Sequence, residues 1–305
     1  MSSASIKAWI SAFRLRTLPL SFSLIIMGSA IAWSNNLFDI SIFALAILTT
    51  LFLQILSNVS NDYGDAHSGV DFAGRVGPQR AVQSGSISMS SMRRAIFIFA
   101  ALALASGVSL LCMAYNRLQM SGLIIMLTIG LLSIVAAICY TVGAKPYGYR
   151  GLGDVSTFIF FGLVGVEGCY VLYSGCFAAE VMLPAAAIGL MSVGVLNMNN
   201  MRDMQNDARA GKRTLIVRFG VGWGRRYQFV LITLAPVLLS VYIALWGQKW
   251  QFLFLLATPV LIAHLHKVAT VSDNKRLDPQ LKVVSISTLL MTLLFVVGTA
   301  IHSFI

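Results

Sequence analysis

Along the chain, apolar runs alternate with short polar segments. Nine of the runs approach the roughly 17–25 residues a helix needs to cross a bilayer. They fall at Thr17–Trp33, Ile40–Ser60, Ala95–Tyr115, Ser121–Val142, Val155–Tyr173, Val181–Met198, Tyr227–Trp246, Trp250–His266 and Val283–His302. Backbone in hydrocarbon must satisfy its own hydrogen bonds, so each run predicts a helix. The expected fold is all-α: a polytopic bundle of nine transmembrane helices forming a single domain over 1–305. Ala30-Ile31-Ala32 resembles a leader cleavage site, but the segment before it is long and no soluble domain follows. The first run therefore reads as a retained span.

Composition agrees. The chain is 57% hydrophobic and 11% charged, against about 25% charged in soluble domains. Its net charge of +11 would suggest nucleic acid in a soluble protein, but here the distribution of bases points to membrane topology. Under the nine-span reading, all but two of the 22 Lys and Arg residues fall on one side, with only Arg117 and Lys249 opposite. The positive-inside rule then places the N-terminus in the cytoplasm and, after nine spans, the C-terminus outside. The four cysteines form no Cys-x-x-Cys pair, and no disulfide, zinc or redox role is assigned.

The acids need a separate cause, because the positive-inside rule makes no demand on them. Eight of the eleven fall on the cytoplasmic side, Asp39 and Glu180 lie outside, and only Glu167 sits well inside a span. Two stretches, 58–71 and 199–207, hold five of the eleven. Helix positions three or four apart share a face. Asn58, Asp62 and Asp65 thus make one stripe, with Asn61 and Asp65 a further pair. Asn199, Asp203 and Asp207 make another. Carboxylates clustered beside hydrocarbon are costly unless something positive holds them. Mg²⁺ usually binds through one or two carboxylates plus substrate phosphates, so two facing stripes suit Mg²⁺ on a diphosphate. Either stripe alone could be a solvated helix end. Two on one face, each followed by a basic, glycine-containing tail, favour a site.

The tails hold Arg80 and Gln83 after the first stripe and Lys212 after the second, with Asn200 and Arg202 inside it. Such bases suit phosphate oxygens, although any single Arg could serve topology or lipid headgroups. A third segment, Tyr140 to Asp154, combines Tyr147 and Tyr149 with Lys145 and Arg150. It could grip phosphate or form an interfacial aromatic belt. Glu167 reads as a buried polar partner or a substrate contact. No His/Cys set fits a transition metal, and no Walker loop is present.

These motifs resemble the UbiA superfamily of intramembrane aromatic prenyltransferases. Asn61, Asp62 and Asp65 match its Asn-Asp-x-x-Asp-x-x-x-Asp motif, with Gly69 at the third acid position and Asp71 two residues later. Asp203 and Asp207 match Asp-x-x-x-Asp, followed by Lys212-Arg213-Thr214. Asn-Asn-x-Arg202-Asp203, Gly-Leu-Gly-Asp154, the Gly-Pro-x-Arg80-x-x-Gln83-x-Gly85 tail and the opening Arg16-Thr-Leu-Pro19 are similar to the branch acting on 1,4-dihydroxy-2-naphthoate. The resemblance implies transfer of a polyprenyl group from its diphosphate to that acceptor, with loss of CO₂ and diphosphate, to give demethylmenaquinone. It implies Mg²⁺ as cofactor, a bacterial inner-membrane location and a cytoplasmic active site. Catalysis is expected at Asp62, Asp65, Asp203, Asp207, Tyr140 and Lys145. Substrate binding is expected at Arg16, Asn58, Arg80, Gln83, Tyr147, Arg150, Asp154, Asn199, Asn200, Arg202 and Lys212. Asn61, Asp62, Asp65, Asp71, Asp203 and Asp207 are the expected metal ligands.

Three alternatives compete. A sibling enzyme would prenylate 4-hydroxybenzoate or a haem or chlorophyll precursor. A CDP-alcohol phosphotransferase would carry its acids in one continuous segment, whereas here they are split. A cation-coupled transporter would place acids near the bilayer midplane, where only Glu167 fits.

Overall fold

A computed structural model describes residues 3–69 and 80–304, with the side chains of 3–5 and 16 excluded. Asp71 and the side chain of Arg16, both expected at the site, therefore lie outside the described residues. Among the described residues there is no strand. Eight helices are long and apolar enough to span a membrane, or nine if the bent pair at the N-terminus counts as one span.

That pair is α1 (Ser3–Phe13) and α2 (Leu18–Ser34), joined by a short 3-10 turn and bent by 51°. Arg14 at the bend adopts a left-handed φ of 49°. Pro19 sits in the first turn of α2, where its missing N–H costs nothing. Next come α3 (Ile40–His67), α4 (Met89–Ala114) and α5 (Met120–Cys139). The Asp39 side chain caps α3 by accepting from the Ser41 and Ile42 N–H groups. The fifth span is composite. α6 (Gly153–Thr157) runs through a π-helical segment, Phe158–Glu167, into α7 (Gly168–Ser174). Then follow α8 (Met182–Arg209), the short α9 (Leu215–Phe219), α10 (Val221–Trp246), α11 (Thr258–Thr270) with a 3-10 lead-in, and α12 (Asp278–Phe304).

Two boundaries matter for function. The sequence pattern ends the second and sixth spans at Ser60 and Met198, where apolar character stops. The structure carries both helices on, through His67 and Arg209. Each acidic stripe is thus the terminal two turns of a membrane helix, not a loop beyond it. Helical hydrogen bonding continues past the apolar run because packing and ion pairs stabilise these turns in place of lipid.

The main core joins α2, α7, α8, α10 and α12, with Met27, Ile31, Ile188, Met191, Leu239 and Phe295 at 0–1% exposure. α8 is the most buried of the eight unbent spans. Glycines let the π segment lie against it: a Cβ on Gly162 would meet the Ala185 carbonyl oxygen at 2.7 Å. A second cluster, built on Leu56, Val59 and Met92, ties α3 to α4. α5 packs chiefly on α3 and α4, and none of its residues is buried. It forms a thin wall rather than part of the core.

Candidate active site

The ends of α3 and α8 converge over a cavity of about 590 Å³. Its lower wall is apolar, with Leu24, Leu104, Leu131, Phe160, Phe161 and Val164 among the lining side chains. Three of these come from or beside the π segment, where wider winding displaces side chains from the regular helical rows; such segments often occur at functional sites. The upper rim is polar, with Asn61, Asp65, Arg80, Asn199, Asn200, Asp203, Asp207 and Lys212. The two stripes predicted from spacing therefore face one space.

Lys212 joins them. Its Nζ lies 3.0 Å from Asp65 Oδ1 and 3.6 Å from Asp207 Oδ1. The lysine is placed by its own backbone, whose N–H donates to the Asp207 carbonyl at 2.9 Å as α8 ends. It is also 4.6 Å from the centre of the Tyr149 ring, a cation–π contact. The Tyr149 hydroxyl donates to Asp65. Burial and the Asp65 carboxylate both push the Tyr149 phenol above its ordinary pKa, so it remains a proton donor.

The other carboxylates are paired as well. Arg80 Nη2 lies 2.5 Å from Asp65 Oδ2, and its Nη1 lies 3.4 Å from Asp62 Oδ1. Arg14 pairs with Asp62. Arg202 grips Asp203 through two bonds, of 2.8 and 2.6 Å, donates to Asn199 at 2.6 Å and reaches Asp278 on α12. Four buried carboxylates thus meet four cations, which is how charge is kept at a membrane interface without prohibitive desolvation cost. A close backbone approach holds the rim together. A Cβ on Gly64 would sit 2.5 Å from the Thr141 carbonyl oxygen, and Thr141 donates to the Ser60 carbonyl at 3.0 Å.

Several predicted residues take other positions. Asp62 is 2% exposed and sits behind the rim between Arg14 and Arg80, whereas Asp65 faces the cavity. Asn61 faces the cavity, but its side-chain oxygen already accepts from Thr141 at 3.1 Å. Asn58 lines the cavity and also braces the bend after α1 by donating to the Phe13 carbonyl at 2.9 Å and to Thr17 at 3.3 Å. Gln83 accepts the Arg80 N–H at 3.4 Å and does not line the cavity. Arg202 is a buried brace behind Asp203 rather than a lining base. Tyr140 and Tyr147 both line the cavity, with rings edge to face at 5.4 Å. The Tyr147 hydroxyl is turned to the Ala136 carbonyl and Ser156, at 2.8 and 3.0 Å. Asp154 is buried beside Tyr140, outside the lining. Lys145 and Arg150 are exposed and line a separate concavity, because the loop carrying them turns outward past Tyr149. This corrects their expected place in the catalytic cavity. Glu167 accepts the Ala178 N–H at 2.8 Å and makes no contribution to the lining.

Sequence reading missed Arg14, Asp278 and Gln54 as parts of the rim. Arg14 looked like one more topology charge, and Asp278 stands outside both acidic stretches. Gln54 is one turn before Asn58 on the same face, the only local signal that pointed to any of the three.

An all-helical membrane bundle with paired carboxylates and bases capping an apolar cavity is suited to a substrate with an anionic head and a greasy tail. The chain belongs to the UbiA prenyltransferase family, whose model matches residues 21–301. It is 40% identical over 304 residues, covering 99% of this chain and 98% of the relative, to a 1,4-dihydroxy-2-naphthoate octaprenyltransferase of Haemophilus influenzae. It is 44% identical to the Escherichia coli protein of that name over 236 residues, 77% of this chain and 76% of the relative. Its fold is similar to the apo structure of a UbiA homologue from Aeropyrum pernix, with a TM-score of 0.68, 17% identity and coverage of 95% and 98%. An Archaeoglobus fulgidus homologue solved with GPP and Mg²⁺ aligns with a TM-score of 0.60 and 14% identity, covering 93% of this chain and 99% of that one.

Proposed function

We infer that this protein transfers a polyprenyl group from polyprenyl diphosphate to 1,4-dihydroxy-2-naphthoate, releasing CO₂ and diphosphate and giving demethylmenaquinone, formed in its quinol state. One observation carries the reading: two acidic helix ends, linked by Lys212, cap an apolar cavity. The 40% and 44% identical relatives of that name support the acceptor.

The diphosphate head belongs at the rim and the isoprenoid below it. Lys212 and Arg80 bind diphosphate oxygens, and Arg202 holds Asp203 in place. Tyr149 keeps Asp65 oriented while its ring supports Lys212. The residues fit Mg²⁺ in a specific way. Among the described residues no three His, Cys, Asp or Glu side chains cluster closely enough to cage a metal alone. Asp65 on one helix and Asp203 and Asp207 on the other still face the same space. Carboxylates divided across a gap suit an ion that takes its remaining ligands from phosphate and water. Mg²⁺ bound there supplies positive charge that stabilises the departing diphosphate. Asp62 joins this set only if Arg14 releases it.

When the allylic C–O bond breaks, the developing charge on diphosphate meets preorganised cations. The carbocation lies among Phe160, Phe161 and aliphatic groups that exclude water. The aromatic ring attacks it and carboxylate leaves as CO₂. The chain is a multi-pass membrane protein. We place it in the bacterial inner membrane with the rim, N-terminus and basic loops cytoplasmic and the C-terminus outside, on the strength of the Lys/Arg asymmetry.

The decisive assay supplies purified protein with Mg²⁺, a polyprenyl diphosphate and either dihydroxynaphthoate or 4-hydroxybenzoate. Prenylated product is expected with the naphthoate. Product with 4-hydroxybenzoate alone refutes the assignment.

A further inference from the structure

Behind the Tyr149 wall lies a second concavity, of about 360 Å³, lined by Lys145, Arg150, Arg213 and Arg218 together with Tyr149, Pro146 and Gly211. It contains no carboxylate. Among the described residues none of the four cations pairs with an acid. In the catalytic rim, by contrast, Arg14, Arg80, Arg202 and Lys212 each pair with a carboxylate.

The convergence is built into the backbone. The Arg213 N–H donates to the Tyr149 carbonyl at 2.8 Å, and Arg218 Nη2 donates to the Arg150 carbonyl at 2.6 Å. These bonds tie the loop after α5 to the loop after α8 and to α9. Gly151 makes the approach possible. It takes a left-handed φ of 85°, and a Cβ there would fall 2.7 Å from the Arg213 carbonyl oxygen and 3.3 Å from the Arg218 guanidinium carbon. Topology requires bases on this side of the membrane, but scattered ones suffice, as with Arg93 and Arg94 on α4. Four like charges around one concavity repel one another, and a bound anion relieves that repulsion beyond what water and salt screen. Guanidinium and ammonium groups are the side chains that bind phosphate oxygens most strongly, and this concavity carries three of the first and one of the second.

We propose that this concavity is a second anion site, which takes a phosphate-bearing group independently of the catalytic rim. Two sources share the chemistry: free diphosphate and the headgroup of an anionic lipid. The proposal stands apart from the prenyl-transfer reading, since binding can be measured without turnover.

The test uses the full chain purified in neutral detergent and titrated calorimetrically with inorganic diphosphate in EDTA. A K145Q/R150Q/R213Q variant spares Arg218, whose side chain bonds the neighbouring loop. It should lose one binding event, or weaken it at least about tenfold. In the second arm both proteins enter nanodiscs of phosphatidylcholine with or without phosphatidylglycerol, and retained lipid is read by native mass spectrometry. Selective loss of phosphatidylglycerol by the variant, with diphosphate binding unchanged, identifies a headgroup as the ligand. In the wild-type chain the bound anion, diphosphate or phosphatidylglycerol, should also protect Lys145 from amine acylation, a readout that needs no folded variant. Superimposable isotherms and equal lipid retention overturn the proposal. Should the variant not fold, unprotected Lys145 labelling under both anions does so.

Discussion

Lys212 pairs with a carboxylate from each of the two acidic helices, and its replacement by Gln tests the site most directly. The Nζ is 3.0 Å from Asp65 and 3.6 Å from Asp207, and the side chain is 13% exposed. At an effective dielectric of about 20, a charge pair at 3 Å is worth roughly 5 kcal/mol before desolvation. Desolvation removes much of this, and hydrogen bonds to charged groups net about 1.5–3 kcal/mol. Asp65 keeps Arg80 and Tyr149, so K212Q should lose only about 1.5–3 kcal/mol of stability and still fold. Catalysis should suffer more. Negative charge on the leaving diphosphate grows as the allylic bond breaks, and a preorganised donor aimed at such charge contributes about 10²–10³-fold in kcat. The prediction is a fall in kcat of about a hundredfold or more, with KM for the prenyl diphosphate also raised. K212R should recover part of it by restoring charge without the point-like fit. The assay is prenyl transfer by purified protein at saturating Mg²⁺, with thermal unfolding in detergent as the folding control. A folded K212Q within about threefold of wild type in kcat would show that Lys212 merely neutralises the carboxylates and does not touch the diphosphate.

D203N should abolish turnover while the protein stays in the membrane, and wild-type rates in that variant would remove Asp203 from the metal set. EDTA should stop the reaction and excess Mg²⁺ restore it; activity persisting after exhaustive chelation speaks against a metal. Y149F keeps the ring under Lys212 but loses the bond to Asp65, so kcat/KM should drop about tenfold, in line with a charged hydrogen bond. Because burial and Asp65 raise the Tyr149 phenol pKa, the group stays protonated, and the Y149F pH–rate profile should parallel wild type from about pH 6 to 9. A lost alkaline limb in Y149F would contradict that assignment. R117A removes the clamp on Asp39 and on the Leu37 and Tyr173 carbonyls at the opposite face. It should lower the unfolding temperature through about 1–3 kcal/mol and leave kcat unchanged, which separates stability from catalysis.

The local pattern of this chain carries a great deal. Apolar runs of bilayer length dictate helices, because no other backbone form satisfies its hydrogen bonds in hydrocarbon without a closed barrel. The one-sided Lys and Arg distribution sets the expected topology. Spacing of three and four residues makes Asn58–Asp65 and Asn199–Asp207 into polar stripes, and stripes of carboxylate beside lipid demand a cation. All of this depends on neighbours within two helical turns. Partner choice does not. Whether Asp62 or Asp65 faces the cavity depends on the rotation of α3 against α4 and the bent α1–α2 pair. That Lys212 spans to Asp65, and that Arg202 reaches Asp278, depends on how α8 packs between helices distant in sequence. The π winding of Phe158–Glu167 leaves no periodic signature in a uniformly apolar run. Lys145 and Arg150 have the composition of phosphate ligands, yet the path of their loop past Tyr149 sends them to the other side of the wall. Sequence determined which chemistries could meet at this membrane surface. Tertiary packing decided which side chains meet, because each meeting is a long-range distance and no local pattern encodes one.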